Sequence, residues 1–105
     1  QRVNIPIEEK MDVFVITLGE KADEAGFTLM SKLRRAGIRA DKDYLGKNLK
    51  GQLKQANRAA TDFCLIIGDD ELEKGIAVLK QMESGEQQEL KLDAIEEYLI
   101  TQLRG

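Results

Sequence analysis

Asp12-Val-Phe-Val-Ile-Thr-Leu-Gly19 decides the fold. An unbroken run of β-branched and apolar residues with no polar alternation reads as a strand buried on both faces, closed by a glycine. A second run of the same kind, Phe63-Cys-Leu-Ile-Ile67, follows Asp62 and closes at Gly68. Between the two, Glu20 to Ala36 carries Ala22, Ala25, Leu29, Leu33 and Ala36 at spacings of three and four, the period of a helix, with Gly37 as its stop and Gly26 as an interior blemish. Ile38 to Lys42 reads as a short strand, and Asp43 to Lys47, with Gly46, as a loop. Asn48 is placed to cap a helix running to about Ala60. Strand–helix–strand–helix–strand alternation predicts a parallel sheet with right-handed crossovers.

Beyond Gly68, Gly75 to Met82 and Gln87 to Leu92 flank the turn Glu83-Ser-Gly-Glu86, a hairpin signal. Asp93 with Glu96 predicts a capping box, and Ile95, Leu99 and Leu103 form the apolar stripe of a last helix. The expected architecture is three-layer α/β/α, five strands and three helices, mostly parallel with a C-terminal hairpin. Residues 11–105 form one domain of ordinary size, and Gln1–Lys10 is expected to be the remnant of a linker, since the chain begins with Gln1 rather than Met.

Charge is sorted by position. Lys32, Arg34, Arg35, Arg39, Lys42, Lys47, Lys50, Lys54 and Arg58 share their stretch with only Asp41 and Asp43, a balance of +7, while the remaining residues hold a balance of −10. The net charge of −3 conceals this division. Such a chain offers a polyanion one face and repels it elsewhere. At about 100° per residue, Lys47, Lys50, Lys54 and Arg58 fall in a stripe about 80° wide, nearly opposite Leu49, Leu53, Ala56 and Ala60. Gln55 and Asn57 flank the cations, and Gly51 lies among them without a side chain. Cations one turn apart can follow a phosphate backbone, and releasing the phosphates' counterions drives affinity; neighbouring amides can read base edges or sugar hydroxyls. A solvated face is the bland alternative, but ordinary solvated helices mix both signs, and this one holds no acid.

Other chemistry is thin. The chain has no histidine, which removes the commonest acid–base group and metal ligand, so Ser31 and Ser84 lack a base to activate them. The single cysteine, Cys64, lies in an apolar run and reads as a buried thiol, in keeping with a reducing, cytoplasmic setting. Asp69-Asp-Glu71 lacks the spacing of a calcium loop; it reads as an acidic turn, with a carboxylate accepting hydrogen bonds from a base as the alternative. The turn after the first strand holds one glycine and acids, which disfavours a bound nucleotide phosphate. Tyr44 could stack on an unpaired base or simply pack. There is neither a membrane-length apolar run nor a leader-like apolar segment in the first ten residues.

Val13 to Gly19, Leu33-Arg-Arg-Ala-Gly-Ile38, Gly46-Lys-Asn-Leu-Lys-Gly-Gln-Leu-Lys-Gln-Ala-Asn57, Ile66-Ile-Gly-Asp-Asp-Glu-Leu-Glu-Lys-Gly75, Val78-Leu-Lys80 and Ser84-Gly-Glu-Gln87 together resemble the C-terminal anticodon-binding domain of class II aminoacyl-tRNA synthetases, nearest the bacterial histidyl branch. The resemblance runs from about Met11 to Leu103. It implies a mixed five-stranded sheet flanked by three helices, and binding of a tRNA anticodon stem-loop, that of the histidine tRNA. It further implies that Glu71 and Lys80 contact anticodon bases, and that the basic helix beginning at Lys47, with Lys47, Asn48, Lys50, Gln52, Lys54, Gln55 and Arg58, supplies backbone and base contacts; Tyr44 is a candidate beside them on its own reading. Thr17 stands where the family more often has proline. No cofactor is implied for this domain; ATP and magnesium belong to a catalytic domain of the same parent chain, itself expected to be a homodimer, with no membrane partner. The threonyl, prolyl and glycyl branches, and a protein-interaction or dimerisation module of the same fold, are the alternatives.

Overall fold

The computed structural model of the chain describes residues 11–42, 48–59 and 61–104. The expected linker at residues 1–10 lies outside them. The elements are β1 (Val13–Leu18), α1 (Glu20–Arg35), β2 (Ala40–Lys42), α2 (Leu49–Arg58), β3 (Phe63–Gly68), α3 (Asp69–Lys74), β4 (Ile76–Gln81), β5 (Gln87–Lys91) and α4 (Ile95–Arg104). The sheet order is β2-β1-β3-β4-β5. β1 pairs in parallel with β2 and β3, and β4 runs antiparallel to both β3 and β5. Four strands therefore share one direction and β4 opposes them, the mixed sheet with a C-terminal hairpin that the sequence predicts.

The double burial of the first strand follows from its position at the centre. Val13 and Val15 point to one face and join Leu65, Ile67, Ala77 and Leu79 beneath Leu29, Met30 and Leu33 of α1 and Ile95 and Leu99 of α4. Phe14 and Ile16 point to the other, where Cys64 and Ala56 of α2 complete a smaller cluster. The apolar run thus serves two cores, as alternation of side chains across a strand requires.

Local signals placed most boundaries. Gly37 and Gly85 take φ of 89° and 79° at the turns after α1 and between β4 and β5, conformations that glycine adopts without strain. Asn48 caps α2 as expected, its side chain accepting from the Gly51 N–H at 2.9 Å. Gly26 is no blemish: it is buried against the sheet, and a Cβ there would overlap Thr17 Cγ2, so its bareness lets α1 approach β1.

Three expectations are corrected. The helices number four among the described residues, because the acidic stretch taken as a turn is α3. Its acids occupy the first helical turn, where carboxylates are favourable, and Glu71 Oε1 accepts from the Gly68 N–H at 2.9 Å. The last helix starts at Ile95, with the Ala94 carbonyl accepting from the Tyr98 N–H, so Asp93 lies one residue too early to cap it. β2 begins at Ala40 rather than Ile38, which instead packs into the first core.

Candidate nucleic-acid interface

Helix α2 forms because Asn48 caps it and because Ala56 and Leu53 give it a face to bury. It packs on β1, and on that side of the sheet it is the one described helix. Its outer side presents Lys50, Lys54 and Arg58, all exposed, in a single row of i, i+4, i+8 positions. No described residue forms an ion pair with any of the three. A row of cations without counter-charges, fixed on a rigid element, keeps its electrostatic attraction available to a polyanion.

The remaining predicted residues sort into three groups. Tyr44 and Lys47 lie outside the described residues. Asn48 and Gln55 stand at the helix as exposed and half-buried amides, respectively, and Asn48 is already engaged as the cap. Gln52 is a correction: it is only 2 % exposed, and its carboxamide is turned into the protein. Its Nε2 donates to the Thr17 carbonyl at 3.0 Å, and its Oε1 accepts from the Thr17 N–H at 3.2 Å. Counting amides as surface groups misses this, because nothing in residue type distinguishes a glutamine that reads a ligand from one that completes a sheet. In its place on the expected apolar stripe, Leu49 is 38 % exposed in the first turn of α2.

Lys80 lies on the same sheet face as α2. It is paired across the β3–β4 ladder with Cys64, whose neighbours include Ala56. On β4 and β5 this face carries Val78, Lys80, Gln87 and Glu89, paired Val78↔Glu89 and Lys80↔Gln87, and all are half-buried or exposed. The surface is therefore a helix with a basic ridge beside a half-sheet that no described helix covers, with a mixed floor. Gln87 and Glu89 carry little signal in the sequence, since Gln88 between them is as polar and exposed as they are. Glu71 is half-buried in the first turn of α3, just beyond the C-terminal end of β3, its carboxylate accepting from the Gly68 N–H. Ile66 pairs with Val78 and Cys64 with Lys80, so Gly68 and Lys80 are separated by four residues of ladder, about 13 Å. The Gly68 end of the ladder, where Glu71 is bound, and Lys80 are therefore well separated on the sheet.

One rival chemistry loses ground on the geometry. In an open sheet of order 2-1-3, a nucleotide phosphate would sit at the C-terminal ends of β1 and β3. There Asp69 Oδ1 accepts from the Ala22 N–H at 3.3 Å, and a Cβ at Gly19 would overlap the Asp69 carboxylate. The helix N-terminus that would attract a phosphate holds the protein's own anion instead. Among the described residues no three His, Cys, Asp or Glu side chains gather as a metal site. Cys64 is fully buried, and burial pushes its thiol up to about 11, with the nearby Lys80 charge opposing the shift. None of the described helices is long and apolar enough to cross a membrane.

A family profile described as "Anticodon binding domain" matches residues 12–102. The chain is 44% identical over 105 residues to histidine–tRNA ligase 1 of Shouchella clausii, covering all of this chain and 25% of that protein. It is 45% identical over 96 residues to the histidine–tRNA ligase of Staphylococcus aureus, covering 91% and 23%. The structure superposes on apo S. aureus histidyl-tRNA synthetase with a TM-score of 0.83 at 44% identity, over 92% of this chain and 25% of that one. The RNA-binding domain of threonyl-tRNA synthetase from Cryptosporidium parvum, at 20% identity and a TM-score of 0.78 over 87% of this chain and 23% of that one, shares the fold. The chain spans about a quarter of the length of the ligases it matches, and over residues 12–102 it belongs to the anticodon-binding-domain family, in a form similar to that of bacterial histidine–tRNA ligases.

Proposed function

We propose that the chain binds the anticodon stem-loop of a tRNA, that of the histidine tRNA, as the recognition module of a histidine–tRNA ligase. The observation that carries the reading is the row Lys50, Lys54 and Arg58, free of described ion-pair partners and held beside a half-sheet that no described helix covers. The row neutralises backbone phosphates. The half-sheet and the end of β3 offer Lys80 and Glu71 to splayed bases, which expose pairing edges that a paired stem hides. Asn48 and Gln55 border the ridge and supply amides to the sugar–phosphate backbone. Lys47 and Tyr44, which precede α2 in the sequence, are assigned to the same RNA as a further cation and an aromatic ring.

Aminoacyl transfer belongs to a catalytic domain of the same parent chain, which would hold ATP and magnesium; the parent acts in the cytoplasm as a homodimer. The similarity to histidine–tRNA ligases over the whole chain supports the parent assignment. The test is a titration of the histidine anticodon hairpin beside the same hairpin with a changed anticodon, at two salt concentrations. Tighter binding of the cognate hairpin at both salts is the expected result. Equal, salt-sensitive binding would reduce the module to a phosphate rail, and no binding at either salt would overturn the RNA reading.

A further inference from the structure

β1 is paired on one side by β3 along its whole length, but among the described residues the β2 ladder runs only to Val15↔Lys42. In a strand the N–H and C=O of one residue point to the same side, and alternate residues point to opposite sides. Val13 and Val15 address β2, so Thr17 is the next residue whose backbone groups turn toward that edge. Thr17 is buried, and buried backbone groups left unpaired are costly. Gln52 satisfies both: its amide occupies the position of a strand residue opposite Thr17, donating to the carbonyl and accepting from the N–H.

We propose that Gln52 is the positioning residue of the RNA-binding helix, its two bonds to Thr17 fixing the rotation of α2 and therefore the direction of the Lys50–Lys54–Arg58 ridge. Gln52 lies about 160° around the helix axis from Lys54. A pin on the inner side governs where the outer side points. The packing beneath α2 is light, with Ala56 its one buried apolar side chain and Leu53 half-buried. Small side chains of this kind resist rotation of a helix poorly, whereas two directional bonds to a central strand oppose both rotation and sliding. The claim rests on the RNA reading for its consequence but not for its geometry.

The test compares the wild-type chain, Gln52→Met and Gln52→Glu. Methionine keeps the volume and removes both bonds; an ionised glutamate keeps the acceptor for the Thr17 N–H and loses the donor. Spin labels on Lys32→Cys and Asn57→Cys, both exposed positions, report the placement of α2 against α1 without RNA. Binding of the histidine anticodon hairpin is measured across salt. Gln52→Met is expected to fold, to broaden or shift the label distance, and to bind about tenfold more weakly, with a salt slope shallower by about one unit as one phosphate contact is lost; Gln52→Glu should lose less on each readout. A folded Gln52→Met with the wild-type distance distribution overturns the proposal, as does wild-type affinity and slope in that variant. If Gln52→Met does not fold, Gln52→Glu decides: a broadened distance supports the pin, and a wild-type distance overturns it. A wild-type chain that fails to bind the hairpin sinks the RNA reading, while the label distances still decide the pin.

Discussion

Asp69, the first residue of α3, accepts a hydrogen bond from the backbone N–H of Ala22 in the first turn of α1, 47 positions earlier in the chain. Gly19, the residue preceding α1, has no side chain to do this, and at φ 121° it makes the turn that brings the two elements together. One helix is thus capped by another across the central strand pair. Asp69→Ala should cost about 1 kcal/mol of stability, the usual worth of a cap, with Asp69→Asn costing less because it retains the acceptor. A denaturant midpoint that falls at constant slope is the readout; an unchanged midpoint for Asp69→Ala would show the contact to be idle.

Glycine to alanine inside a helix normally stabilises, by roughly 1 kcal/mol. At Gly26 the sign should reverse. The added methyl meets Thr17 Cγ2, and forcing α1 off β1 should cost about 1–3 kcal/mol net. Thermal unfolding of Gly26→Ala decides it; a higher melting temperature would contradict the close approach.

Asp23 accepts from Lys42 Nζ at 2.7 Å and from the Thr17 hydroxyl at 2.9 Å. The Lys42 bond first, and then the Thr17 bond, hold its carboxyl below its ordinary value. The folded state therefore binds this proton less readily than the unfolded chain. Its stabilising contribution is fully present above the unfolded value, about 3.9, and is lost as pH falls through the lower folded one. Asp23→Asn should flatten that acid limb while leaving the rest of the pH profile in place. Urea midpoints from pH 6 down to 2.5, wild type against variant, measure it.

For the RNA surface, Lys50→Ala and Lys54→Ala should weaken every hairpin alike, each reducing the salt slope by about one unit. Glu71 needs a gentler change, since its carboxylate also binds the Gly68 N–H. Glu71→Gln keeps an acceptor for that bond and removes the charge. It should relax discrimination between cognate and changed anticodons by about 1–3 kcal/mol, a magnitude borrowed from duplex base readout, with little change in melting temperature. Equal loss for both hairpins would remove Glu71 from base reading.

Cys64 should resist thiol reagents at pH 8 in the native protein, because it is fully buried and its thiol is pushed up to about 11. Reaction should follow the rate of unfolding and rise steeply with denaturant. Rapid stoichiometric labelling without denaturant would show that the second core opens readily.

The sequence made the sheet legible because burial on both faces leaves an apolar run that few other structures need, and because Asn48, Gly37 and Gly85 mark turns and caps by conformational necessity. It made the cationic row of α2 legible because helical periodicity alone places Lys50, Lys54 and Arg58 together. It concealed α3, since Asp69 and Asp70 are poor helix formers by type, favourable chiefly at a first turn, and a helix of 6 residues is too short to display a period. It concealed Gln52 for a deeper reason. That residue's partner is the backbone of Thr17, and a strand end left open by its neighbour is a property of the assembled sheet, written in no single residue.

The sheet has two outer strands, and both are poor templates. β2 is three residues long and ends in Lys42, a lysine whose charge points inward and is neutralised by Asp23. β5 is Gln87-Gln-Glu-Leu-Lys91, exposed and polar at all but one position. Brevity, an inward charge and polar side chains are the devices that discourage another chain from adding itself to a ladder. They make either described edge of the sheet a poor place for a further strand to add.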